Sequence, residues 1–173
     1  MAEDPTDNAA GAVARPWVVM GVSGCGKTTV GRALATQLEM AFFDADDFHP
    51  PANVAKMRSG VPLSDADRGP WLDVLNGLLR DRPGVVLACS ALRRVYRARL
   101  AAGLEPGPRF VFLEVDRATV ARRMRGRDHF MPAALMASQF ETLEPPTADE
   151  ALVLDAGRPV DQLVAAVVVD ARR

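Results

Sequence analysis

The feature that most constrains the fold is the segment at residues 21–28, which reads G-V-S-G-C-G-K-T. It directly follows the apolar run at residues 17–20 and precedes a stretch with helical apolar spacing at residues 29–40. Glycines at these positions allow positive φ angles, so that backbone N–H groups turn inward toward phosphate groups. Because the segment lies between a strand and a helix, it predicts a phosphate-binding loop.

The chemistry of this loop predicts a site for a nucleoside triphosphate. Its lysine, Lys27, reaches the β- and γ-phosphates in such loops, and the hydroxyl of Thr28 is placed to bind Mg²⁺. Lys27 is therefore a candidate catalytic residue and Thr28 a candidate metal ligand. The residues expected to contact the nucleotide are Gly21, Ser23, Gly24, Cys25, Gly26, Lys27, Thr28 and Thr29.

Composition predicts one soluble domain at residues 16–173, preceded by a disordered leader at residues 1–15. The chain has 173 residues, with 21 basic and 22 acidic side chains. This balance does not favour a nucleic-acid partner. No apolar run approaches the roughly 20 residues of a membrane span, and the N-terminus lacks the pattern of a signal peptide. The two cysteines, Cys25 and Cys89, suggest reduced thiols and a cytoplasmic location.

Strands and helices alternate along the rest of the chain. Apolar runs predict strands at residues 18–20, 41–43, 85–89, 110–114 and 151–155. Ser64 and Asp67 match a capping box that begins a helix, which Pro70 is expected to kink or restart. Ser90 is expected to cap a later helix, and Asp116 another at residues 118–125. The pattern predicts a three-layer α/β fold, with helices on both faces of a five-stranded parallel sheet.

Two further clusters indicate transfer of a phosphoryl group to a small acceptor. Asp46, Asp47 and His49 follow the second strand, on the sheet edge where the phosphate loop also lies. An arginine-rich segment at about residues 122–134 is predicted to form a lid, which would neutralise charge and exclude water. Arg123 and Arg127 would share one side of a helix that continued through Gly126.

Several of these residues also allow a structural interpretation. Asp67 is favoured as the capping acid over a catalytic base. Trp71 is favoured as a core residue over a substrate platform, because it begins a helical apolar stripe. Asp44 fits a turn former and is left out of the candidate site. The arginine run also fits a solvated helix face.

The chain resembles the bacterial-type gluconokinases of the P-loop kinase superfamily. The resemblance spans roughly residues 17–170 and rests on the phosphate loop at 21–29, D-A-D-D-F-H-P-P-A-N-V-A-K-M at 44–57, G-V-P-L-S-D-A-D-R-G-P-W-L at 60–72, C-S-A-L-R-R-V-Y-R at 89–97, H-F-M at 129–131 and S-Q-F-E-T-L-E-P-P at 138–146. It implies phosphorylation of D-gluconate on its 6-hydroxyl, with ATP and Mg²⁺, by a cytoplasmic homodimer that binds neither membrane nor nucleic acid.

With gluconate as the acceptor, the candidate residues acquire roles. Asp46 is expected to orient or deprotonate the attacking hydroxyl and to help hold Mg²⁺. Arg123 and Arg127 join Lys27 and Asp46 as catalytic candidates. Arg93 is the first choice for the gluconate carboxylate, because Ser90 is expected to begin its helix at the cleft. The substrate-binding candidates are Asp46, His49, Lys56, Arg68, Arg93 and His129.

One departure from the family pattern accompanies the resemblance: the lid is one residue shorter before His129. The sequence also offers no obvious Asp at the end of the third strand as a second Mg²⁺ ligand, because Cys89 and Ser90 occupy that position. Thr28 and Asp46 are therefore expected to carry more of the metal binding. The alternatives are a kinase for shikimate, adenylylsulfate or a nucleoside monophosphate, or a nucleotide switch without catalysis.

Overall fold

The computed structural model describes residues 15–125 and 132–172. The predicted leader, except for Arg15, lies outside the described residues. So do Arg127 and His129, and with them the central part of the predicted lid.

The described residues form a five-stranded sheet in which every neighbouring pair is parallel, in the order β2-β3-β1-β4-β5. Strand β1 is central: its Val18 lies opposite Leu87 on one side and Phe110 on the other. This sheet confirms the predicted α/β class. The strands are β1 (Trp17–Met20), β2 (Ala41–Asp44), β3 (Val85–Ala88), β4 (Arg109–Glu114) and β5 (Ala151–Asp155).

Helices connect the strands and cover both faces of the sheet. A short 3₁₀ helix, Ala45–Phe48, follows β2 directly. The α-helices are α1 (Lys27–Gln37), α2 (Pro51–Arg58), α3 (Asp65–Asp81), α4 (Arg94–Ala101), α5 (Arg117–Met124), α6 (Ala133–Thr142) and α7 (Val160–Ala171). Within the described part of the chain, no helix is long and apolar enough to cross a bilayer.

Two cores lie on opposite faces of the sheet, because successive side chains of a strand point to opposite sides. Val19 joins Leu34 of α1 and Val167 of α7 in one core. Val18 joins Leu75 of α3 and Leu100 of α4 in the other. The result is the predicted three-layer arrangement, with the carboxyl ends of the strands on one edge.

The capping box at the start of α3 is confirmed. The Ser64 hydroxyl accepts a hydrogen bond from Asp67 N–H at 3.1 Å, and the Asp67 carboxylate accepts one from Ser64 N–H at 2.8 Å. The expected restart at Pro70 is wrong, because α3 runs unbroken from Asp65 to Asp81. Proline removes one backbone hydrogen bond from the helix. Packing of the buried face of α3, which includes Trp71 and Leu75, stabilises the turn nevertheless.

The expected cap at Ser90 is also wrong. Helix α4 begins at Arg94, with Arg93 at the N-cap position. Ser90 lies in the preceding loop, where its carbonyl accepts a hydrogen bond from Gly21 N–H at 3.2 Å, and Ala91 has a left-handed φ of 45°. That backbone conformation prevents a helix from starting at Ser90. The loop instead supports the phosphate loop.

Candidate active site

A cleft of about 740 Å³ opens at the carboxyl ends of the strands. The phosphate loop lines it through Ser23 and Lys27, and the segment after β2 lines it through Asp46 and His49. Helices α2, α3 and α6 and the loop after β3 supply the remaining walls. The cleft therefore joins the predicted phosphate site to the predicted acceptor cluster.

The phosphate loop depends on glycine at positions that other residues would strain. Gly24 has φ +81°, and a Cβ there would lie 3.2 Å from Met124 Sδ and from Val120 Cγ1. Gly26, with φ +108°, is the N-cap residue of α1. The Lys27 ammonium donates to Val22 O at 3.1 Å, so the lysine folds back over its own loop. The loop thus presents backbone donors and a cation at a helix N-terminus, which is a site for phosphate groups.

Thr28 and Asp44 form a second pair beside the loop. The Thr28 hydroxyl donates to Asp44 Oδ2 at 2.8 Å, while Asp44 Oδ1 accepts from Asp46 N–H at 3.1 Å and so caps the 3₁₀ helix. Among the described residues, His, Cys, Asp and Glu form no group of three that could hold a metal ion. Mg²⁺ is commonly bound by one or two protein oxygens together with water and phosphate oxygens. The hydroxyl and carboxylate here fit that ion.

Asp46 is a carboxylate that lines the cleft, and its side chain is 85% exposed. Desolvation raises its pKa above the ordinary aspartate value, the charge of Asp44 raises it further, and Lys27 opposes the shift. A carboxylate with a raised pKa is a better proton acceptor for a hydroxyl group.

His49 is held as a neutral donor. Its ring stacks on Trp71 with 4.2 Å between centroids, and desolvation lowers its pKa. Asn53 Nδ2, which also donates to Asp67 O at 3.0 Å, lies 3.4 Å from His49 Nδ1. Because that amide nitrogen is only a donor, Nδ1 accepts and the ring proton lies on Nε2. Nε2 lies 3.9 Å from Asp46 Oδ1, so its proton is available to an acceptor in the cleft.

Trp71 is a core residue at the floor of this site. It is 3% exposed, and its indole N–H donates to Ala45 O at 2.8 Å. The core interpretation is therefore confirmed, although the ring also forms part of the cleft wall beneath His49.

Of the cations expected around gluconate, only Arg68 lines the cleft. Its Nη1 donates to Leu63 O at 2.6 Å and to Tyr96 Oη at 3.3 Å, and its guanidinium lies 5.4 Å from the Tyr96 ring centroid. Arg58, at the end of α2, also lines the cleft. Two arginines therefore line the acceptor side of the cleft.

Lys56 and Arg93 lie in ion pairs and are not among the residues that line the cleft. Lys56 Nζ donates to both carboxylate oxygens of Asp67, at 2.7 and 2.8 Å. Arg93 donates to Asp65 at 2.6 Å and to Glu144 at 3.2 Å. The reason given for preferring Arg93, a helix beginning at Ser90, does not hold in this structure.

Arg123 contacts the phosphate loop from behind. Its guanidinium donates to Cys25 O at 3.0 Å and to Ala156 O at 2.6 Å, in the turn after β5. Helix α5 ends at Met124, and Arg127, the other member of the predicted pair, lies outside the described residues. The three other described arginines of the run, Arg117, Arg122 and Arg125, are exposed.

We expect Arg123→Met to weaken the fold as well as ATP binding. Two hydrogen bonds from a charged donor are lost, and together they contribute about 3–6 kcal/mol. For a chain of this size the melting temperature should fall by roughly 6–24 °C, and the KM for ATP should rise. Differential scanning fluorimetry measures the shift, with Arg122→Met as the exposed neighbour control; equal melting temperatures for the two variants would contradict the clamp.

Sequence reasoning missed several residues of the cleft, among them Asp44, Arg58 and Gln139. Helical spacing carried a signal for two of them. One face of α2 carries three cleft residues at helical spacing, Val54, Met57 and Arg58, and Lys56 lies off this face. One face of α6 likewise carries Leu135, Ser138 and Gln139. Asp44 was recognisable only as a turn former, because its contact with Thr28 joins residues 16 positions apart.

The fold and cleft together define a P-loop kinase of small molecules, and comparison with known proteins agrees. The family model described as shikimate kinase matches residues 23–156. The gluconokinase of Gluconobacter oxydans (strain 621H) is 48% identical over 81% of this chain and 81% of its own length. The thermoresistant gluconokinase of Escherichia coli (strain K12) is 41% identical, over 88% of this chain and 90% of its own.

A solved structure supports the same assignment. The crystal structure of a gluconokinase from Sinorhizobium meliloti 1021 matches with a TM-score of 0.82 and 42% identity, covering 88% of this chain and 89% of that one. The chain belongs to the gluconokinase family.

Proposed function

We propose that the chain transfers the γ-phosphoryl group of ATP directly to D-gluconate, giving 6-phospho-D-gluconate. The observation that carries the proposal is the single cleft that holds Lys27 of the phosphate loop, the Asp46 carboxylate and two arginines. A small anionic polyol requires these groups: donors for its hydroxyls, cations for its carboxylate and a base near the phosphates. The family relationship supplies the identity of the acceptor.

The residues of the cleft divide the work of positioning and charge neutralisation. Loop N–H groups and Lys27, released from Val22 O, bind the triphosphate and stabilise the charge that develops on the transferred group. Asp46 accepts the proton of the attacking hydroxyl or orients it. His49 donates from Nε2 to a neighbouring hydroxyl. Because phosphoryl transfer involves little covalent chemistry for the protein, this alignment supplies most of the catalysis.

Magnesium fits the same arrangement. We propose that Thr28 and Asp44 hold the ion, with Asp46 contacting it through water, and that it neutralises phosphate charge when it is bound. This revises the ligand pair Thr28 and Asp46 suggested by the sequence, because the hydrogen bond from the Thr28 hydroxyl goes to Asp44.

Four further features remain proposals that rest on the family resemblance and the sequence. Residues 16–173 would form one kinase domain with a lid at about 122–134. Arg123 would stabilise the loop, while Arg127 and His129 would reach the phosphates and the acceptor from the lid. The protein would act in the cytoplasm, as a homodimer.

For the gluconate carboxylate we propose Arg68, with Arg58 beside it. Arg68→Met should raise the KM for gluconate by about 10- to 100-fold, because it removes hydrogen bonds between charged groups, and should change kcat less. Steady-state kinetics on Arg68→Met, Arg58→Met, Lys56→Met and Arg93→Met rank the cations, with the exposed Arg80→Met as a control. A larger rise in KM for Arg93→Met than for Arg68→Met would reverse the assignment.

Product identification tests the proposed reaction directly. After incubation with ATP, Mg²⁺ and gluconate, ³¹P and ¹³C NMR should show phosphate on C6. Phosphate on another carbon, or no product, would overturn the proposal. ADP release with shikimate, adenylylsulfate and nucleoside monophosphates compares the alternative acceptors, and ATP binding without turnover on any of them would favour a nucleotide switch.

A further inference from the structure

Gln139 joins the helix that follows the lid to the phosphate loop. Its Oε1 accepts a hydrogen bond from Ser23 N–H at 2.7 Å, and its Nε2 donates to Ser23 Oγ at 3.0 Å. Both contacts are partly buried and join residues 116 positions apart. One side chain therefore holds both polar groups of the third residue of the loop.

This double contact determines what the Ser23 hydroxyl is able to do. A serine hydroxyl has one proton to donate and lone pairs that accept. Because Gln139 Nε2 occupies a lone pair, the proton is free to point elsewhere, and Ser23 lines the cleft. The carboxamide thus leaves the proton of the Ser23 hydroxyl for an acceptor in the cleft.

Helix α6 also forms part of the acceptor side. Leu135 and Ser138, on the same face as Gln139, line the cleft. At the start of the helix, Pro132 Cγ lies 3.7 Å from the place that a Cβ would take on Gly60, just after α2. The first end of α6 therefore lies beside Gly60, in the turn that follows α2.

The other end of α6 is tied to the loop after β3. Glu144 N–H donates to Leu92 O at 2.8 Å, and the Glu144 carboxylate accepts from Arg94 N–H at 2.7 Å and from Arg93 at 3.2 Å. One end of α6 thus lies beside Gly60, the other is tied to the loop after β3, and between them Gln139 joins the helix to the phosphate loop.

We propose that Gln139 is a positioning residue that couples the phosphate loop to the acceptor wall: it orients the Ser23 hydroxyl toward the transferred phosphoryl group and makes the placement of α6 depend on the bound nucleotide. This role rests on the proposed kinase reaction. It assigns no contact between Gln139 and the reacting atoms, because Gln139 acts through Ser23.

The first test needs no acceptor. Amide hydrogen exchange in residues 133–142 is followed with and without a nonhydrolysable ATP analogue at saturation. In the unmodified protein the analogue should slow exchange in α6, and in Gln139→Met this protection should fall by about tenfold, because the link to Ser23 is lost. Gln37→Met, the same change at an exposed position of α1, should behave as the unmodified protein does.

The second test is a double-mutant cycle on kcat at saturating substrates. Ser23→Ala and Gln139→Met should each lower kcat by about tenfold. The double variant should also lose about tenfold, and not a hundredfold, because both substitutions remove the same oriented hydroxyl. Gln139→Glu should retain the nucleotide-induced protection of α6, because a carboxylate accepts from both Ser23 N–H and Ser23 O–H.

Three results would overturn the role of Gln139. They are equal protection of α6 in Gln139→Met and the unmodified protein, faster exchange in α6 on nucleotide binding, and multiplicative losses in the cycle. Failure to phosphorylate gluconate would instead contradict the proposed acceptor, and would leave the exchange measurement as the deciding test for Gln139.

Discussion

Replacing Lys27 by methionine should lower kcat by about 10²- to 10³-fold, which is the usual loss when one donor to developing charge is removed. The lysine is the cation of the phosphate loop, and among the described residues its side chain makes one hydrogen bond, to Val22 O at 3.1 Å. Loss of this bond from a charged donor should lower the unfolding free energy by about 1.5–3 kcal/mol. A coupled assay of ADP release measures the rate, and chemical denaturation measures the stability.

Arg80→Met is the matched control for Lys27→Met, because it removes an exposed cation from α3 at a position that does not line the cleft. Its kcat should equal that of the unmodified protein. If Lys27→Met kept more than about a tenth of the original kcat while remaining folded, the lysine would not stabilise the transferred group.

Asp46→Asn should lower kcat by about 10²- to 10⁴-fold, the usual contribution of a general base. Desolvation and Asp44 raise the pKa of Asp46, and the ionised form is the active one. The acid limb of the pH profile of kcat/KM should therefore lie above pH 3.9, the ordinary aspartate value, and the residual activity of Asp46→Asn should lack that limb. Asp44→Asn should move the limb to lower pH.

Ionisation of Asp46, which should raise activity, should lower the stability of the fold. Because the folded protein raises the pKa of Asp46, the unfolded chain releases this proton more readily, and the ionised carboxylate reduces stability as pH rises through the interval between the two pKa values. At neutral pH, Asp46→Asn should be at least as stable as the unmodified protein. A clear loss of stability would show that the carboxylate holds the fold together, and the fall in kcat would then lose its catalytic interpretation.

The local patterns that succeeded are those whose physical cause lies within a few residues. The capping box of Ser64 and Asp67 involves positions three apart, and the cap at Asp116 accepts from Thr119 N–H at 2.7 Å. Strand β5 begins and ends where the sequence predicts. The predictions at Ser90 and Pro70 were wrong because tertiary packing overrode the local preference of the residue.

Within the site, residue types were easier to predict than their pairing. The sequence predicts Lys56, Arg68 and Arg93 as cations near the acceptor. Their ion-pair partners, however, decide which of them could bind a substrate carboxylate. Asp67 and Asp65 lie close to them only because α3 packs beside α2 and α4. Which cation faces the cleft was therefore not readable from spacing alone.

The phosphate loop, the alternation that builds a parallel sheet, and the family could all be predicted from the sequence, because each depends on short-range geometry or on extended similarity. The contact of Thr28 with Asp44, the positions of Arg68 and Arg58 in the cleft, and the contact of Gln139 with Ser23 became visible in the folded chain. Those contacts join residues far apart in the chain, and their free energy depends on burial and alignment that arise only when the layers pack together.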